Sequence, residues 1–304
     1  MAETSFRGIY VITNTPFDDD GALLWDDLEN TFDWIIRAGC HGVVWPVMAS
    51  EFSVLSYPER VEGMRRAVAV TAGRVPVVAG VADTSQAGAV ALTVAAAEAG
   101  VDAVLAMPPW ATKLASRDLI EAYYRAIAEA GELPVFIQNV GPPLGSNLPG
   151  SLVVELCERI PLVQYLKEEK DPKGQALSEV LEPNSPAVKG VFSGSNCAYL
   201  IADHARGVAG SMPAAHMVDV DVQIWELLEA GDLEAARQMH KDKMVLESTV
   251  ASLRGGWLSS KEVLRRRGVI SCAAARNQGP LVLDEVDEAQ IEYAIDLVSP
   301  YFRI

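Results

Sequence analysis

The sequence is poor in basic residues. Its 304 residues include 25 lysines and arginines against 41 aspartates and glutamates, which gives a formal net charge of -16. Nucleic acids and anionic membrane surfaces are bound through a positive field, so we expect neither as a partner. The sequence also has no apolar run approaching the roughly 18 residues that a membrane-spanning helix needs. No basic-then-apolar segment precedes the first predicted strand.

Cysteine and histidine are few and widely spaced. No CxxC pair is present, and together with the lack of a secretory segment this favours a reducing cytoplasm as the compartment. No HxxxH pair or histidine-carboxylate cluster lies on one element, which disfavours a metal-dependent aldolase, and no GxGxxG or P-loop pattern indicates a nucleotide cofactor. The residues concerned are Cys40, Cys157, Cys197, Cys272, His41, His204, His216 and His240.

What the sequence does contain is a recurrent alternation of apolar, β-branched runs with helical patterns. Eight such runs begin at residues 8, 42, 76, 102, 134, 163, 189 and 207. They are continuously apolar, as expected for a parallel sheet that is covered on both faces. Eight β-then-α units favour a (β/α)8 barrel, a TIM barrel of the α/β class, over a doubly wound sheet.

Helix signals follow the predicted strands. Ser56 and Glu59 have the spacing of a capping box, and a helical pattern runs from Ser116 to Gly131. After about residue 222 the strand patterns stop, and the segments 222–249, 259–268 and 287–302 all have helical patterns. We therefore predict a barrel domain over residues 1–222 and a C-terminal helical extension over residues 223–304.

The stretch PLVQYLKEEKDP, residues 161–172, carries a lysine, Lys167, at the end of an apolar strand. Two interpretations are open: a solvated strand end, or an amine held in an apolar pocket for chemistry. In (β/α)8 barrels the C-terminal strand ends carry the active site, and Lys167 lies at the end of the sixth strand. Desolvation there favours the neutral amine, which attacks ketones, so we predict that Lys167 is the catalytic residue.

Five segments resemble the dihydrodipicolinate synthase and N-acetylneuraminate lyase superfamily of Schiff-base barrel enzymes. They are TPFDDDG at 15–21, SEFSVLSYPER at 50–60, YLKE at 165–168, FSG at 192–194 and SSKEVLRRRGVI at 259–270. The resemblance implies that Lys167 forms an imine with a small-molecule 2-keto acid and that no cofactor is needed besides this Schiff base. It also implies a homo-oligomer, either a tetramer or a dimer.

The sequence departs from the synthases and lyases at positions that transfer protons. Their proton-shuttling tyrosine is replaced by Gln138, whose amide is neither an acid nor a base near neutral pH. Where they carry glycine, threonine or serine, threonine and glycine before a glutamate, this chain reads Val47, Met48, Ala49, Ser50 and Glu51. These changes argue against lysine biosynthesis and against sialic acid cleavage.

The sequence is instead similar to the sugar-acid dehydratase branch, in particular 2-keto-3-deoxy-L-arabonate dehydratase. That branch shares a Ser-Glu pair, a Pro-Pro-aromatic turn and an Ile-Gln pair with this chain. The resemblance implies a 4-hydroxy-2-keto acid whose Lys167 imine acidifies C3, giving an enamine that eliminates the C4 hydroxyl. Two alternatives stay open: a class I pyruvate aldolase that breaks the C3–C4 bond, and a non-catalytic ligand-binding barrel.

Several residues are predicted to contact the substrate or to transfer protons. The backbone N–H groups of Ala49 and Ser50, with the Ser50 hydroxyl, would hold the substrate carboxylate, unless Ser50 is an ordinary turn serine. Gln138 would donate to a substrate oxygen. Glu51 is a candidate acid or base, although a carboxylate that fixes the loop backbone is favoured. Glu169 is predicted to share the side of Lys167 and is either a second acid or base or a loop carboxylate.

Three further residues lie near the predicted active-site end. Gly194 would let the chain approach the substrate closely, or would end its strand. Trp110 would wall the pocket or pack at a subunit contact. His216 follows the eighth predicted strand, where a solvated loop histidine is the favoured interpretation.

Overall fold

Parallel strands form the centre of the computed structural model, which describes residues 6–109, 116–141, 145, 147–253, 256–276 and 281–304. Each strand pairs with the next in chain order, and the last pairs with the first, so that the predicted eight-stranded barrel is confirmed. The strands β1 to β8 span Gly8–Ile12, Gly42–Trp45, Val77–Gly80, Ala103–Ala106, Val135–Val140, Val163–Glu169, Gly190–Ser193 and Gly210–Ser211.

A helix follows each strand, as the sequence pattern predicts. The capping box before the second helix is confirmed, since the Ser56 hydroxyl accepts from the Glu59 N–H and the Glu59 carboxylate accepts from the Ser56 N–H at 2.8 Å. The helices α1 to α8 span Trp25–Arg37, Tyr57–Thr71, Gln86–Ala99, Arg117–Gly131, Gly150–Arg159, Lys173–Leu181, Leu200–Ala205 and Val218–Glu229.

Gly131, near the C-terminus of α4, is part of the helix and does not end it. Gly131 is still helical, and the left-handed residue that ends α4 is Glu132, with φ of 51°. A Cβ atom on Gly131 would lie 2.7 Å from Cγ2 of Thr93 in α3. The glycine therefore serves the close packing of α3 against α4.

Aromatic side chains close the N-terminal end of the barrel. The rings of Phe136 and Tyr165 stack with centroids 4.6 Å apart, and Phe6 packs edge-on against both, at 5.4 and 5.1 Å. Tyr10 and Phe192 complete this group, with centroids 5.3 Å apart. We call these five residues the aromatic floor. Side chains two positions further along the same strands point inward in the next layer, above this floor.

The C-terminal extension consists of three helices, α9 (Leu233–Ser252), α10 (Gly256–Arg266) and α11 (Glu285–Val298). The eighth barrel helix, α8, runs from Val218 to Glu229, so the proposed domain boundary after residue 222 falls inside it. α9 packs against α8, α10 and α11 and against α7. None of the helices in the described ranges combines the length and apolar character that crossing a membrane requires.

Candidate active site

Lys167 lies inside the barrel, in the layer above the aromatic floor. It follows Tyr165 by two residues on β6, and the sheet register places it between Gln138 on β5 and Phe192 on β7. The residue is only 2% exposed. The solvated strand end is therefore excluded, and the amine is held in a largely apolar interior.

Glu169 lies against the amine of Lys167, and Gln138 contacts Glu169. The Oε2 atom of Glu169 lies 2.9 Å from Nζ of Lys167 and accepts a hydrogen bond of 2.8 Å from Nε2 of Gln138. Burial raises the pKa of Glu169, but the charge of Lys167 and the hydrogen bonds from Lys167 and Gln138 outweigh this effect and bring the pKa below its ordinary value. Glu169 ends β6 and is not a loop carboxylate.

Glu168 faces the opposite side of the strand, as alternation along β6 predicts. Its carboxylate accepts hydrogen bonds from Nδ2 of Asn139 at 2.9 Å and from the backbone N–H of Lys170 at 2.7 Å. Asn139 in turn bonds both backbone groups of Leu148. Glu168 thus fixes the loops outside the barrel, whereas Glu169 faces its interior.

Gly194 makes room for the Glu169 carboxylate. A Cβ atom at position 194 would lie 2.4 Å from Oε1 and 2.7 Å from Cδ of Glu169. The φ angle of Gly194 is -115°, which any residue adopts, so contact and not backbone conformation requires the glycine. The close approach expected at Gly194 is an approach to Glu169.

Gly194→Ala should therefore lower kcat by about 10²-fold, because the added methyl group displaces Glu169 from Lys167 and misplacement of about 1 Å costs that much in rate. Gly141→Ala is the matched control, since no atom of the described residues lies within 4 Å of a Cβ at that position. Steady-state rates and thermal unfolding of both variants give the comparison. A Gly194→Ala enzyme with normal kcat would show that the position of Glu169 is immaterial.

Lys167 and Glu169 line a cavity of about 230 Å³ at the C-terminal end of the barrel. The opposite walls come from the turn after β2, from the turn after β7 and from the extension helix α9. The side chains that matter for its chemistry are Lys167, Glu169, Ala49, Ser195, Asn196 and Glu247. A mainly apolar cavity with a few convergent polar groups is typical of a small-molecule site.

The turn after β2 places Ala49 and Ser50 differently. Ala49 lines the cavity, whereas the Ser50 hydroxyl donates to the carbonyl of Thr13 at 2.6 Å behind it. The Ser50 N–H donates to the carbonyl of Val47 at 3.0 Å. Ser50 therefore anchors the turn, and its neighbour presents the turn to the cavity.

Glu51 forms a buried ion pair with Lys261 of α10. The ammonium of Lys261 also donates to the carbonyl of Ala274 at 2.9 Å. Burial raises the pKa of Glu51, although the charge of Lys261 opposes the shift. These contacts tie the turn after β2 to the C-terminal extension, which supports the favoured interpretation of Glu51 as a carboxylate that fixes the loop.

The prediction of a solvated loop histidine at position 216 is wrong. His216 is 1% exposed because α8, α10 and Glu247 of α9 lie against the loop that carries it. Its Nε2 atom lies 3.3 Å from Oε1 of Glu247 on α9. Neither Glu247 nor the turn of Ser195 and Asn196 was singled out from the sequence, since no motif marks them. Trp110, predicted to wall the pocket, lies outside the described residues.

The described cysteines and histidines do not form a metal site. Within the described ranges, no three histidine, cysteine, aspartate or glutamate side chains are grouped so that they would hold a metal ion. Cys40, Cys157 and Cys197 are buried and free, and Cys272 is free and partly exposed.

Comparison with known proteins identifies the family. Residues 5–292 match the dihydrodipicolinate synthetase family. The chain belongs to this family. It is 30% identical over 291 residues to a 4-hydroxy-tetrahydrodipicolinate synthase of Methanoculleus marisnigri, covering 94% of this chain and 96% of that protein. It is 27% identical over 276 residues to an L-2-keto-3-deoxyarabonate dehydratase of Azospirillum brasilense, covering 90% and 89% of the two chains.

Two solved structures share the fold of this chain. A dihydrodipicolinate synthase from Rhodopseudomonas palustris superimposes with a TM-score of 0.87 at 22% identity, covering 96% of this chain and 97% of the other. A sialic acid aldolase from Ruminococcus gnavus gives a TM-score of 0.89 at 20% identity, covering 98% of each chain. The family is one of lyases, and this protein is a lyase of the dihydrodipicolinate synthetase family.

Proposed function

We propose that the protein dehydrates a 2-keto-3-deoxy sugar acid, of the 2-keto-3-deoxy-L-arabonate type, through an imine on Lys167. The observation that carries the proposal is the contact of Lys167 with Glu169, which Gln138 also contacts. This contact places one carboxylate within proton-transfer distance of a buried amine. The amide of Gln138 occupies the place where the family's aldolases carry a proton-shuttling tyrosine.

Glu169 serves as the base and acid of imine formation in this proposal. It takes a proton from the Lys167 ammonium, and the neutral amine then attacks the C2 ketone. The resulting carbinolamine loses its hydroxyl as water when Glu169 returns the proton. The product is a protonated imine that withdraws electrons from C3, and Glu169 is again a carboxylate.

Elimination uses the same carboxylate a second time. Glu169 removes a proton from C3 to give the enamine, and it delivers that proton to the C4 hydroxyl, which leaves as water. The unsaturated imine then tautomerises and is hydrolysed to a semialdehyde and the free lysine. Gln138 donates to Glu169 throughout and holds the carboxylate in place, since an amide does not exchange protons at neutral pH.

The substrate carboxylate is assigned to the turn after β2, where Ala49 borders the cavity. The Ser50 hydroxyl and N–H are bonded within the protein, so Ser50 supports this turn from behind. The Ala49 N–H is the amide of this turn that we assign to the substrate carboxylate, because the N–H groups of Ser50 and Glu51 donate to the carbonyls of Val47 and Met48. We propose that no cofactor takes part besides the Schiff base. The homo-oligomeric state and the cytoplasmic location stay predictions.

The synthase activity named for the Methanoculleus relative is not carried over to this chain. That activity depends in the family on the tyrosine and the threonine hydroxyl, and this chain has Gln138 and Met48 at those positions. The dehydratase of Azospirillum brasilense covers nearly the whole chain at comparable identity. This relative and the Lys167–Glu169 pair together favour elimination.

Product analysis separates elimination from aldol cleavage. Incubation with 2-keto-3-deoxy-L-arabonate should give 2-ketoglutarate semialdehyde and less than about one part in 10² of pyruvate, since loss of a proton relay costs about 10² to 10⁴ in rate. Chromatography with mass detection measures both products. Gln138→Tyr should not raise the rate of dehydration. Fast stoichiometric release of pyruvate and glycolaldehyde by the unmodified enzyme would assign it to the aldolases.

A further inference from the structure

The extension helix α9 carries a carboxylate into the active-site cavity. Glu247 is 7% exposed and lines the same cavity as Lys167 and Glu169. Its Oε1 atom accepts no hydrogen bond of good geometry from the described part of the chain. The proposed mechanism does not use this group. The Glu247 side chain borders the space in which a substrate would lie, while its Oε1 atom is turned toward His216 and Lys243.

Two cationic or ionisable side chains hold Glu247 in place from behind. Oε1 lies 3.3 Å from Nε2 of His216 and 3.7 Å from Nζ of Lys243, and Oε2 accepts from Nδ2 of Asn196 at 3.5 Å. Burial raises the pKa of Glu247, but the neighbouring His216 and Lys243 outweigh burial and bring it below its ordinary value. Lys243 is itself paired with Asp221 at 2.6 Å. Glu247 is therefore a fixed anion.

The turn after β7 lies beside Glu247 and is held by the same helix. Ser195, Asn196 and Cys197 have φ of 56°, 50° and 58°, a left-handed conformation that is strained for residues other than glycine. The Lys243 ammonium donates to the carbonyl of Asn196, and Nε2 of His240 lies 3.1 Å from the carbonyl of Cys197. Through these contacts α9 presents Ser195 and Asn196 to the cavity along with Glu247.

The two carboxylates that line the cavity therefore differ in their partners. The charge of Glu169 is balanced by Lys167, which also meets the ketone. Around Glu247 the carboxylate and the side chains of Ser195 and Asn196 provide hydrogen-bond acceptors and donors, and the cation of the cavity lining, Lys167, is paired with Glu169. Such a surface suits hydroxyl groups, and its fixed negative charge repels an anion.

We propose that Glu247 is a specificity-determining residue, which accepts hydrogen bonds from hydroxyl groups beyond C4 of the substrate and rejects 2-keto acids that carry a second anionic group. The inference rests on the proposed function, because it assigns the far end of the substrate in the Lys167 site. It names the substrate class as 2-keto acids with a neutral, hydroxylated tail.

Three probes of different tails test the proposal: pyruvate, which has none, 2-keto-3-deoxy-L-arabonate, whose tail is hydroxylated, and 2-ketoglutarate, which has the same number of carbons and a second carboxylate. Half-saturating concentrations for borohydride trapping are measured by intact mass for each probe. In the unmodified enzyme, we expect the half-saturating concentration of 2-ketoglutarate to exceed that of the sugar acid by about 10-fold or more, since like charges placed together repel each other.

Glu247→Gln should raise the half-saturating concentration of the sugar acid by about 10-fold and lower that of 2-ketoglutarate, because a charged acceptor is lost and the repulsion with it. Trapping of pyruvate should stay within about twofold, since pyruvate has no tail to meet this residue. Glu234→Gln replaces an exposed glutamate in the first turn of α9 and is the control. It should change the half-saturating concentration of none of the three probes.

The outcomes separate this inference from the proposed function. If the unmodified enzyme traps no pyruvate, the imine proposal itself fails. If pyruvate is trapped equally by both forms, and the ratio between sugar acid and 2-ketoglutarate is unchanged in Glu247→Gln, the role of Glu247 is overturned while the imine stands.

If Glu247→Gln does not fold, Glu247→Asp keeps the charge and withdraws the acceptor. It should weaken binding of the sugar acid while still rejecting 2-ketoglutarate, and unchanged binding of the sugar acid would overturn the inference.

Discussion

Lys167→Arg should lower kcat by about 10³-fold or more while leaving the fold intact. A guanidinium group keeps the positive charge beside Glu169 but is not a usable amine nucleophile, so the imine does not form. Losses of this size are typical when a covalent nucleophile is removed. Steady-state rates with 2-keto-3-deoxy-L-arabonate, with circular dichroism to verify folding, measure the effect.

Lys170→Arg is the matched control for this variant. Lys170 is three residues further along the chain, and its ammonium pairs with Glu179 at 2.7 Å instead of facing the cavity. We expect a kcat within about threefold of the unmodified enzyme, because an exposed or partly exposed ion pair contributes little and arginine keeps the charge. A Lys167→Arg enzyme as active as this control would rule out the covalent mechanism.

Glu169→Gln should lower kcat by about 10² to 10⁴, the range for loss of a general acid or base. Glutamine keeps the size of the side chain and still accepts a hydrogen bond, but it no longer takes a proton from Lys167 or from C3. The loss should appear in kcat more than in KM, since in the proposed mechanism Glu169 acts on the reacting atoms. Single-turnover measurements with the sugar acid separate the slow chemical step from binding.

The neighbouring Glu168→Gln variant supplies the contrast. Glu168 faces away from the cavity, where it accepts hydrogen bonds from Asn139 and from the Lys170 N–H. Its replacement should lower the free energy of unfolding by about 1 to 3 kcal/mol, because a buried acceptor is lost. We expect kcat to stay within about threefold of that of the unmodified enzyme. Equal losses of kcat in both variants would mean that Glu169 acts through the structure and not through proton transfer.

The placement of the side chains on β6 could be predicted from the sequence because it depends on local order. The barrel follows from eight apolar runs separated by helical patterns, and the site of Lys167 from its position at the end of the sixth. Strand alternation then places Glu169 beside Lys167 and Glu168 outside. A period of two residues is a short-range property, and it holds here up to Glu169, the last residue of β6.

The far wall of the cavity could not be predicted in this way. Glu247 contacts His216 and Asn196, which precede it in the sequence by 31 and 51 residues, because α9 packs over the end of the barrel. The burial of His216 depends on the same packing. Gly194 was expected to approach the substrate, and only the position of the Glu169 carboxylate explains why it lacks a side chain. Contacts of this kind are set by tertiary packing and carry no local pattern.

The measurement that tests the central claim most directly is borohydride reduction of the enzyme with pyruvate or 2-keto-3-deoxy-L-arabonate, followed by intact mass analysis and peptide mapping. An imine on Lys167 predicts one covalent adduct per chain, located on the peptide that contains Lys167 and absent from Lys167→Arg. Reduction without a 2-keto acid should add nothing. An unmodified enzyme with no adduct, or with the adduct on Lys170 or Lys261, would contradict the account.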